Sequence, residues 1–226
     1  MTQKPSRLRN VLISCLVSGI LAGLLSASQC RTAESDCSIA ALKYYSGDAV
    51  TWTIWAHWVN WLPGVVFGLL FGMAALEPDA VPRARRLLLY ALASAVAYVA
   101  AGLVFSAFLA YASSDQFSLI VWIWPGGFTA GLLGAVLLAI GANLLIRKPG
   151  AADGVFLRVW LPAIVGAVAG VIFVFLCTYG EQQILLAFPV AFSIWQIAVG
   201  LTLARGNGPA AQPMGSRSRS SQGEIQ

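Results

Sequence analysis

Residues 121–146 read VWIWPGGFTAGLLGAVLLAIGANLLI, and this stretch contains no Asp, Glu, Lys or Arg. A run of about 18 or more apolar residues with few charges is long enough to cross the hydrocarbon core of a bilayer as an α-helix. Five other uncharged runs occur along the chain, so that the six runs cover residues 11–28, 59–76, 87–111, 121–146, 159–178 and 184–204. We therefore predict an all-α integral membrane protein, built as one bundle of six transmembrane helices.

The composition of the whole chain agrees with this fold class. Of its 226 residues, 58% are apolar and 10% are charged, whereas soluble domains average roughly 45–50% apolar and about 25% charged residues. A soluble domain of this length has too small an interior to bury so much apolar surface. The lipid bilayer is therefore the predicted environment of residues 1–205, which we treat as a single transmembrane domain.

The basic residues predict how the chain is oriented, because short cytoplasmic loops are enriched in Lys and Arg. With the N-terminus in the cytoplasm, 12 of the 14 basic residues lie on the cytoplasmic side, and Arg31 and Lys43 lie outside. We predict that both termini are cytoplasmic, that residues 29–58 form an outward loop, and that the membrane is a bacterial inner membrane. The net charge of +5 then reflects topology, and no nucleic-acid partner is expected.

The two ends of the chain need separate interpretation. Residues 206–226 are rich in Gly, Pro, Ser and Gln and lack aromatic side chains, which predicts a disordered cytoplasmic tail. The first helix, with Ser26 and Ser28 near its end, also resembles a signal peptide that is cleaved. We favour an uncleaved helix, since Gly19 and Gly23 are spaced to pack against a neighbouring helix.

Two cysteines in the predicted outward loop, Cys30 and Cys37, are a disulfide candidate. In an oxidising compartment this pair would close the loop, and free thiols are the alternative. Their spacing does not match the CxxC pattern of redox proteins.

Prolines recur near the predicted outward ends of the even-numbered helices. Pro63, Pro125 and Pro189 are separated by 62 and 64 residues, which is two helices each time. This spacing fits a hairpin repeated three times. The alternative is the ordinary preference for proline in the first turn of any helix.

Glycines spaced by four residues indicate helix faces that approach each other closely. Residues four apart lie on one face of a helix, and small side chains allow close packing in lipid. Packing within the chain is the preferred interpretation, and a homo-oligomer or another membrane-protein partner is the alternative. The predicted packing glycines are Gly64, Gly68, Gly72, Gly127, Gly131, Gly166 and Gly170.

Residues 52–61, WTIWAHWVNW, carry tryptophan at every third position. Indoles prefer the headgroup level of a bilayer, so we predict an amphipathic segment in the outer interface that precedes the second helix. This segment is either a membrane-anchoring belt or an aromatic site for a ligand that enters from outside. An amide deep in the sixth helix would bond a neighbouring helix or line a solute pathway. The residues assigned to the ligand site are Trp55, His57, Trp58, Trp61, Trp124 and Gln196.

The chain offers few groups for catalysis or metal binding. His57 is the only histidine, whereas zinc sites take three or four protein ligands, and no Asp, Glu, Lys or Arg lies inside a predicted span. We therefore predict no catalytic residue, no metal and no cofactor. Binding or transport of an uncharged or amphipathic small molecule is the predicted function. The alternatives are a non-catalytic membrane subunit or assembly factor, and third, an enzyme that acts on a lipid-linked substrate at the outer face.

Overall fold

A computed structural model describes residues 5–32, 61–76, 83–111, 116–146, 155–179 and 184–205. These residues form six α-helices. In chain order the helices are α1 (Pro5–Thr32), α2 (Leu62–Ala75), α3 (Arg83–Tyr111), α4 (Gln116–Leu145), α5 (Val155–Tyr179) and α6 (Ile184–Arg205). The predicted all-helical membrane fold is confirmed at this level, because five of the helices are long and apolar enough to cross a membrane.

The helix α2 differs from the other five in length. It has 14 residues, which corresponds to about 21 Å at a rise of about 1.5 Å per residue. The hydrocarbon core of a bilayer is about 30 Å thick. The second apolar run therefore forms a helix that is shorter than a full span.

The other helices extend beyond the apolar runs that predict them. The helix α1 begins at Pro5 and α3 begins at Arg83, so both include arginines in their first turns. Long basic side chains at a helix end keep their charge in water while their methylene groups cover apolar surface. The apolar run therefore marks the part of a helix that matches lipid, and the helical backbone continues past it.

The six helices form a closed ring in chain order. Each helix packs against the next one along the chain, and α6 packs against α1. Neighbouring helices are antiparallel, which the α1–α6 contacts illustrate. Early in α1, Cys15 lies against Gly200, and later in α1, Gly23 lies against Pro189. Consequently α1, α3 and α5 begin at one end of the ring, where α2, α4 and α6 end.

We call this end the basic end, because it carries every arginine of the described helices apart from Arg31. The described arginines there are Arg7, Arg9, Arg83, Arg85, Arg86, Arg158 and Arg205. Two of them bond the last turn of α2. Nη2 of Arg7 donates to the carbonyl oxygen of Ala75 at 2.5 Å, and Nη2 of Arg83 donates to that of Met73 at 3.3 Å. Cations at a helix C-terminus stabilise its unpaired carbonyls.

In three seams of the ring, glycines lie against the backbone of the neighbouring helix. In the α4–α5 seam, a Cβ at Gly131 would lie 3.0 Å from Cα of Gly170, and a Cβ at Gly127 would lie 2.9 Å from the carbonyl oxygen of Gly170. Contacts between backbones at this distance leave no room for a side chain, which is how helices pack tightly in lipid.

The α2–α3 and α6–α1 seams follow the same principle with different partners. Gly64 and Gly68 of α2 lie against Ala95 and Ala91 of α3, and Gly72 lies against Leu87. In the α6–α1 seam, Gly19 and Gly23 lie against the backbone of α6. The predicted packing glycines are thus all placed against neighbouring helices of the same chain.

Prolines lie inside three of the long helices. These are Pro125 in α4, Pro162 in α5 and Pro189 in α6, whereas Pro63 lies in the first turn of α2. The uncharged run that begins at residue 121 predicts Pro125 near the start of its helix. In the structure α4 begins earlier, at Gln116, so Pro125 lies inside the helix. A proline inside a helix removes one backbone hydrogen bond. Near Pro125, the hydroxyl of Thr129 donates to the proline carbonyl at 2.7 Å.

The larger of the two clusters of buried apolar side chains in the described helices lies towards the basic end. The largest fully buried side chains include Phe67, Phe71, Tyr90 and Leu203. The ring of Phe71 lies 5.4 Å from that of Phe67 and 5.8 Å from that of Tyr90. These side chains fill the interior, so the ring encloses a packed core rather than an open pore in this half.

Candidate functional site

The polar side chains buried in the described helices are all uncharged. We call them the neutral polar set, and its members are Ser18, Tyr90, Ser94, Ser193 and Gln196. The described residues include no Asp, Glu or His at all. The buried polar and thiol groups inside the described part of the ring are therefore hydroxyl groups, one amide and the thiol of Cys15.

The amide of Gln196 links α6 to α1. It is 2% exposed, and its Oε1 is placed against the hydroxyl of Ser18, which also lies 3.1 Å from the carbonyl oxygen of Cys15. One hydroxyl proton cannot serve two acceptors. The Ser18 hydroxyl therefore donates either to Oε1 of Gln196 across the α6–α1 seam or to the carbonyl oxygen of Cys15 in its own helix.

Three buried hydroxyl groups have no hydrogen-bond partner among the described residues. They belong to Tyr90, Ser94 and Ser193. Leaving a buried hydroxyl unpaired costs about 1–3 kcal/mol, and most buried polar groups in native proteins are paired. These three hydroxyl groups are therefore the described polar groups whose partners remain to be assigned.

Tyr90 lies between α2 and α4. Its ring is 3.6 Å from the position of a Cβ at Gly72 and 3.6 Å from that of a Cβ at Gly141. The absence of side chains at these two glycines leaves the space that the phenol ring of Tyr90 occupies. Tyr90 therefore extends from α3 across the interior of the helix ring. Trp195 of α6 crosses it in the same way, since it lies 3.5 Å from the position of a Cβ at Gly134.

In the half of the helix ring that is farther from the basic end, aromatic side chains of different helices contact each other. We call Tyr98, Phe173, Phe188 and Phe192 the aromatic layer. The ring of Phe192 is 5.9 Å from that of Tyr98 and 4.9 Å from that of Phe173, which meets it edge to face. The hydroxyl of Tyr98 is 3.4 Å from that of Ser26 on α1. Helices α1, α3, α5 and α6 thus meet around this layer.

The structure describes three of the six residues assigned to the ligand site. Trp61 precedes the first turn of α2, Trp124 packs on Phe175 at 6.2 Å between ring centres, and Gln196 bonds Ser18. Trp124 thus contacts α5 and Gln196 contacts α1, so these two residues lie in different seams of the ring. The other three, Trp55, His57 and Trp58, lie outside the described residues.

The described residues contain no group of three or more His, Cys, Asp or Glu side chains that could hold a metal ion. Cys15 is a free, buried thiol. Of the disulfide candidates, Cys30 lies in the last turns of α1, and Cys37 lies outside the described residues.

Tyr90, Ser94 and Ser18 were missed by the reasoning from sequence. A signal for the first two was present, since Tyr90, Ser94 and Tyr98 are spaced by four and therefore share one face of α3. Comparison of the chain with models of known protein families, with curated proteins and with solved structures finds no match.

Proposed function

We propose that the chain crosses a bacterial inner membrane six times, with both termini in the cytoplasm. The support is the position of the arginines, which begin α1, α3 and α5 and end α6 at one end of the ring. Basic residues of membrane proteins concentrate on the cytoplasmic side. The basic end would then face the cytoplasm.

The short helix α2 serves as one of the six crossings in this proposal. Both α1 and α3 begin at the basic end, so the chain has to return to that end between them. Helix α2 runs in the returning direction, since Gly64 in its first turn lies against Ala95 and Gly72 near its end lies against Leu87.

The three-hairpin arrangement is supported by the seams rather than by the prolines alone. Glycines lie against the backbone of the neighbouring helix in the α2–α3, α4–α5 and α6–α1 seams, whereas the glycines of α4 that face α3 meet side chains. Repetition of one helix pair three times would produce this alternation.

We propose that the protein binds or transports an uncharged or amphipathic small molecule within the helix ring. The observation that carries this proposal is that three buried hydroxyl groups, those of Tyr90, Ser94 and Ser193, have no hydrogen-bond partner among the described residues, and that the amide of Gln196 is buried as well. Neutral donors and acceptors in an apolar surrounding suit a neutral ligand, because an ion in this setting would lack a countercharge.

Native mass spectrometry of the tagged full chain, extracted gently from its own membranes, tests this proposal. We expect one small molecule to remain on the monomer. Replacement of Gln196 by Leu removes the amide at similar volume and should lower the retained fraction about tenfold, equivalent to one lost hydrogen bond of about 1.4 kcal/mol.

The matched control is Thr202→Val. The hydroxyl of Thr202 bonds the carbonyl of Val199 in its own helix at 2.7 Å, so its loss should leave the ligand in place. Wild-type protein that carries a stoichiometric partner protein and no small molecule would instead support the alternative of a non-catalytic subunit. The glycine ridges lend that alternative no support, because the chain's own helices cover them.

A further inference from the structure

Polar side chains are concentrated where α6 lies against α1. Ser193 and Gln196 are three residues apart and therefore share one face of α6. Oγ of Ser193 is 2.8 Å from the position of a Cβ at Gly19, and Oε1 of Gln196 lies at the hydroxyl of Ser18, the residue next to Gly19. The side chains of Ser18, Ser193 and Gln196 thus meet in one short part of the α6–α1 seam.

This part of the seam offers more hydrogen-bond donors than the described residues accept. Ser193 is 7% exposed, and its Oγ has no hydrogen-bond partner among the described residues. The amide of Gln196 is 2% exposed. While its Oε1 faces Ser18, its Nε2 carries two further N–H donors. Donors that are left unpaired at membrane depth cost free energy, because no bulk water is there to accept from them.

Close packing of the two helices does not require the hydroxyl of Ser193. In the α4–α5 seam, Gly131 lies against Gly166 and Gly170, so two helices of this chain approach each other through glycine on both sides. In the α6–α1 seam, α1 contributes Gly19 at the corresponding close contact and α6 contributes Ser193. The hydroxyl group is therefore additional to what the packing of this seam needs.

The neighbouring face of α6 carries two members of the aromatic layer, Phe188 and Phe192. Their rings stack with 6.5 Å between centres, and Phe192 also contacts the rings that α3 and α5 contribute to the layer. Gln196 follows Phe192 by four residues, so it borders the aromatic face as well as Ser193. Residues 188–196 of α6 thus present an aromatic surface beside a hydrogen-bonding surface.

We propose that the small molecule bound in the ring is a neutral ring compound with a carbonyl group, and that residues 188–196 of α6 bind it. Oγ of Ser193 and Nε2 of Gln196 donate to the carbonyl oxygen, which has two lone pairs. The apolar ring of the molecule packs on the aromatic layer, whose side chains already meet by stacking and edge-to-face contacts. This inference rests on the proposed function and adds the chemical class of the bound molecule.

Photolabelling with benzophenone tests this assignment on the full chain in phosphatidylcholine vesicles. Benzophenone is uncharged and has one carbonyl group between two phenyl rings, and under near-ultraviolet light its carbonyl adds across a neighbouring C–H bond. Peptide mass spectrometry then locates the adducts. We expect adducts on residues 188–196 of α6 and on residues 18–23 of α1, which face them.

The variant Ser193→Ala removes the donor and keeps the Cβ that lies against Gly19. At a subsaturating concentration of benzophenone, it should lower the yield of these adducts about tenfold, the effect of one lost hydrogen bond. Because the hydroxyl has no partner among the described residues, the unfolding temperature should not fall. A lower yield in a folded variant therefore reports binding.

Two controls separate the hydrogen bonds from general apolar binding. Thr202→Val removes a hydroxyl from the same helix, but that hydroxyl is paired with the carbonyl of Val199, so the labelling should stay unchanged. Diphenylmethane has the same two rings without the carbonyl group. An excess of it should leave most of the labelling in place, and complete competition would show that the rings alone bind.

Equal yields in the wild type and in Ser193→Ala would overturn the proposal, and so would adducts confined to exposed side chains such as Leu16 and Ile20 of α1. If native mass spectrometry finds a retained small molecule while the labelling does not depend on Ser193, the proposed function stands and only this assignment fails. If the wild type retains no molecule and forms no adduct inside the ring, both fail.

Discussion

The hydroxyl of Tyr90 allows a test at the scale of one residue. It is buried and has no hydrogen-bond partner among the described residues, so its removal releases a desolvation cost of about 1–3 kcal/mol rather than breaking a bond. We expect Tyr90→Phe to be as stable as the wild type or more stable, and to retain less of the small molecule. Thermal unfolding in detergent and native mass spectrometry measure the two effects. Destabilisation would reveal a structural partner for the hydroxyl.

The sequence predicts only part of the neutral polar set. An amide in an apolar run is conspicuous, so Gln196 was recognised. Tyrosine and serine are common in membrane helices, so Tyr90 and Ser94 do not stand out in the sequence. Their role depends on the face of α3 that they occupy and on the residues of the neighbouring helices that face them. Gly72 of α2 and Gly141 of α4 face Tyr90. The sequence of α3 alone does not show which residues of other helices face it.

The glycine seams give a test at the scale of the helix. A Cβ at Gly131 would lie 3.0 Å from both the carbonyl carbon of Gly166 and Cα of Gly170, and backbone atoms cannot move aside as a flexible side chain can. We expect Gly131→Ala to lower the free energy of unfolding by about 1–3 kcal/mol through overpacking.

The matched control lies one turn later on the same helix. A Cβ at Gly134 would meet the Cβ of Ala101 at 3.3 Å and the indole of Trp195 at 3.5 Å. These are side-chain atoms, so Gly134→Ala should cost less than Gly131→Ala. Reversible unfolding of both variants gives the comparison, and equal losses would argue against a backbone contact in the α4–α5 seam.

Helices were easier to predict than their ends or their partners. Uncharged runs identify the part of each helix that suits lipid, because charge is costly there. They do not show where a helix ends, since backbone hydrogen bonding continues through Arg83 and Arg85 in α3 and back to Gln116 in α4. The interior position of Pro125 follows from that earlier start.

Topology is a property of the whole molecule, and reporter fusions measure it. Green fluorescent protein fluoresces in the cytoplasm, and alkaline phosphatase is active outside it. Fusions after residues 79, 150 and 206 should fluoresce, and fusions after residues 113 and 182 should show phosphatase activity. The reverse pattern would contradict the orientation that the arginines indicate. A phosphatase-active fusion after residue 79 would show that α2 does not bring the chain back.

The order of neighbours from α2 to α6 follows from the short connections between these helices, which place consecutive helices side by side. The closure between α6 and α1 does not, because these helices are distant in sequence. It depends on complementary surfaces. Gly19 and Gly23 present a smooth face, and Ser193 and Pro189 lie against it. This seam also gives α1 a structural role, which supports its retention after synthesis.

Ring closure between the first and last helices has a consequence for biosynthesis. Gly19 leaves the ribosome 174 residues before Ser193, its partner across the seam. At a synthesis rate of about 5–20 residues per second, roughly 10–35 s pass before α6 can cover the Gly19 and Gly23 face of α1. The nascent protein is therefore most vulnerable to wrong association along α1. Any insertase or chaperone that assists its assembly would act there, and would be released when α6 arrives.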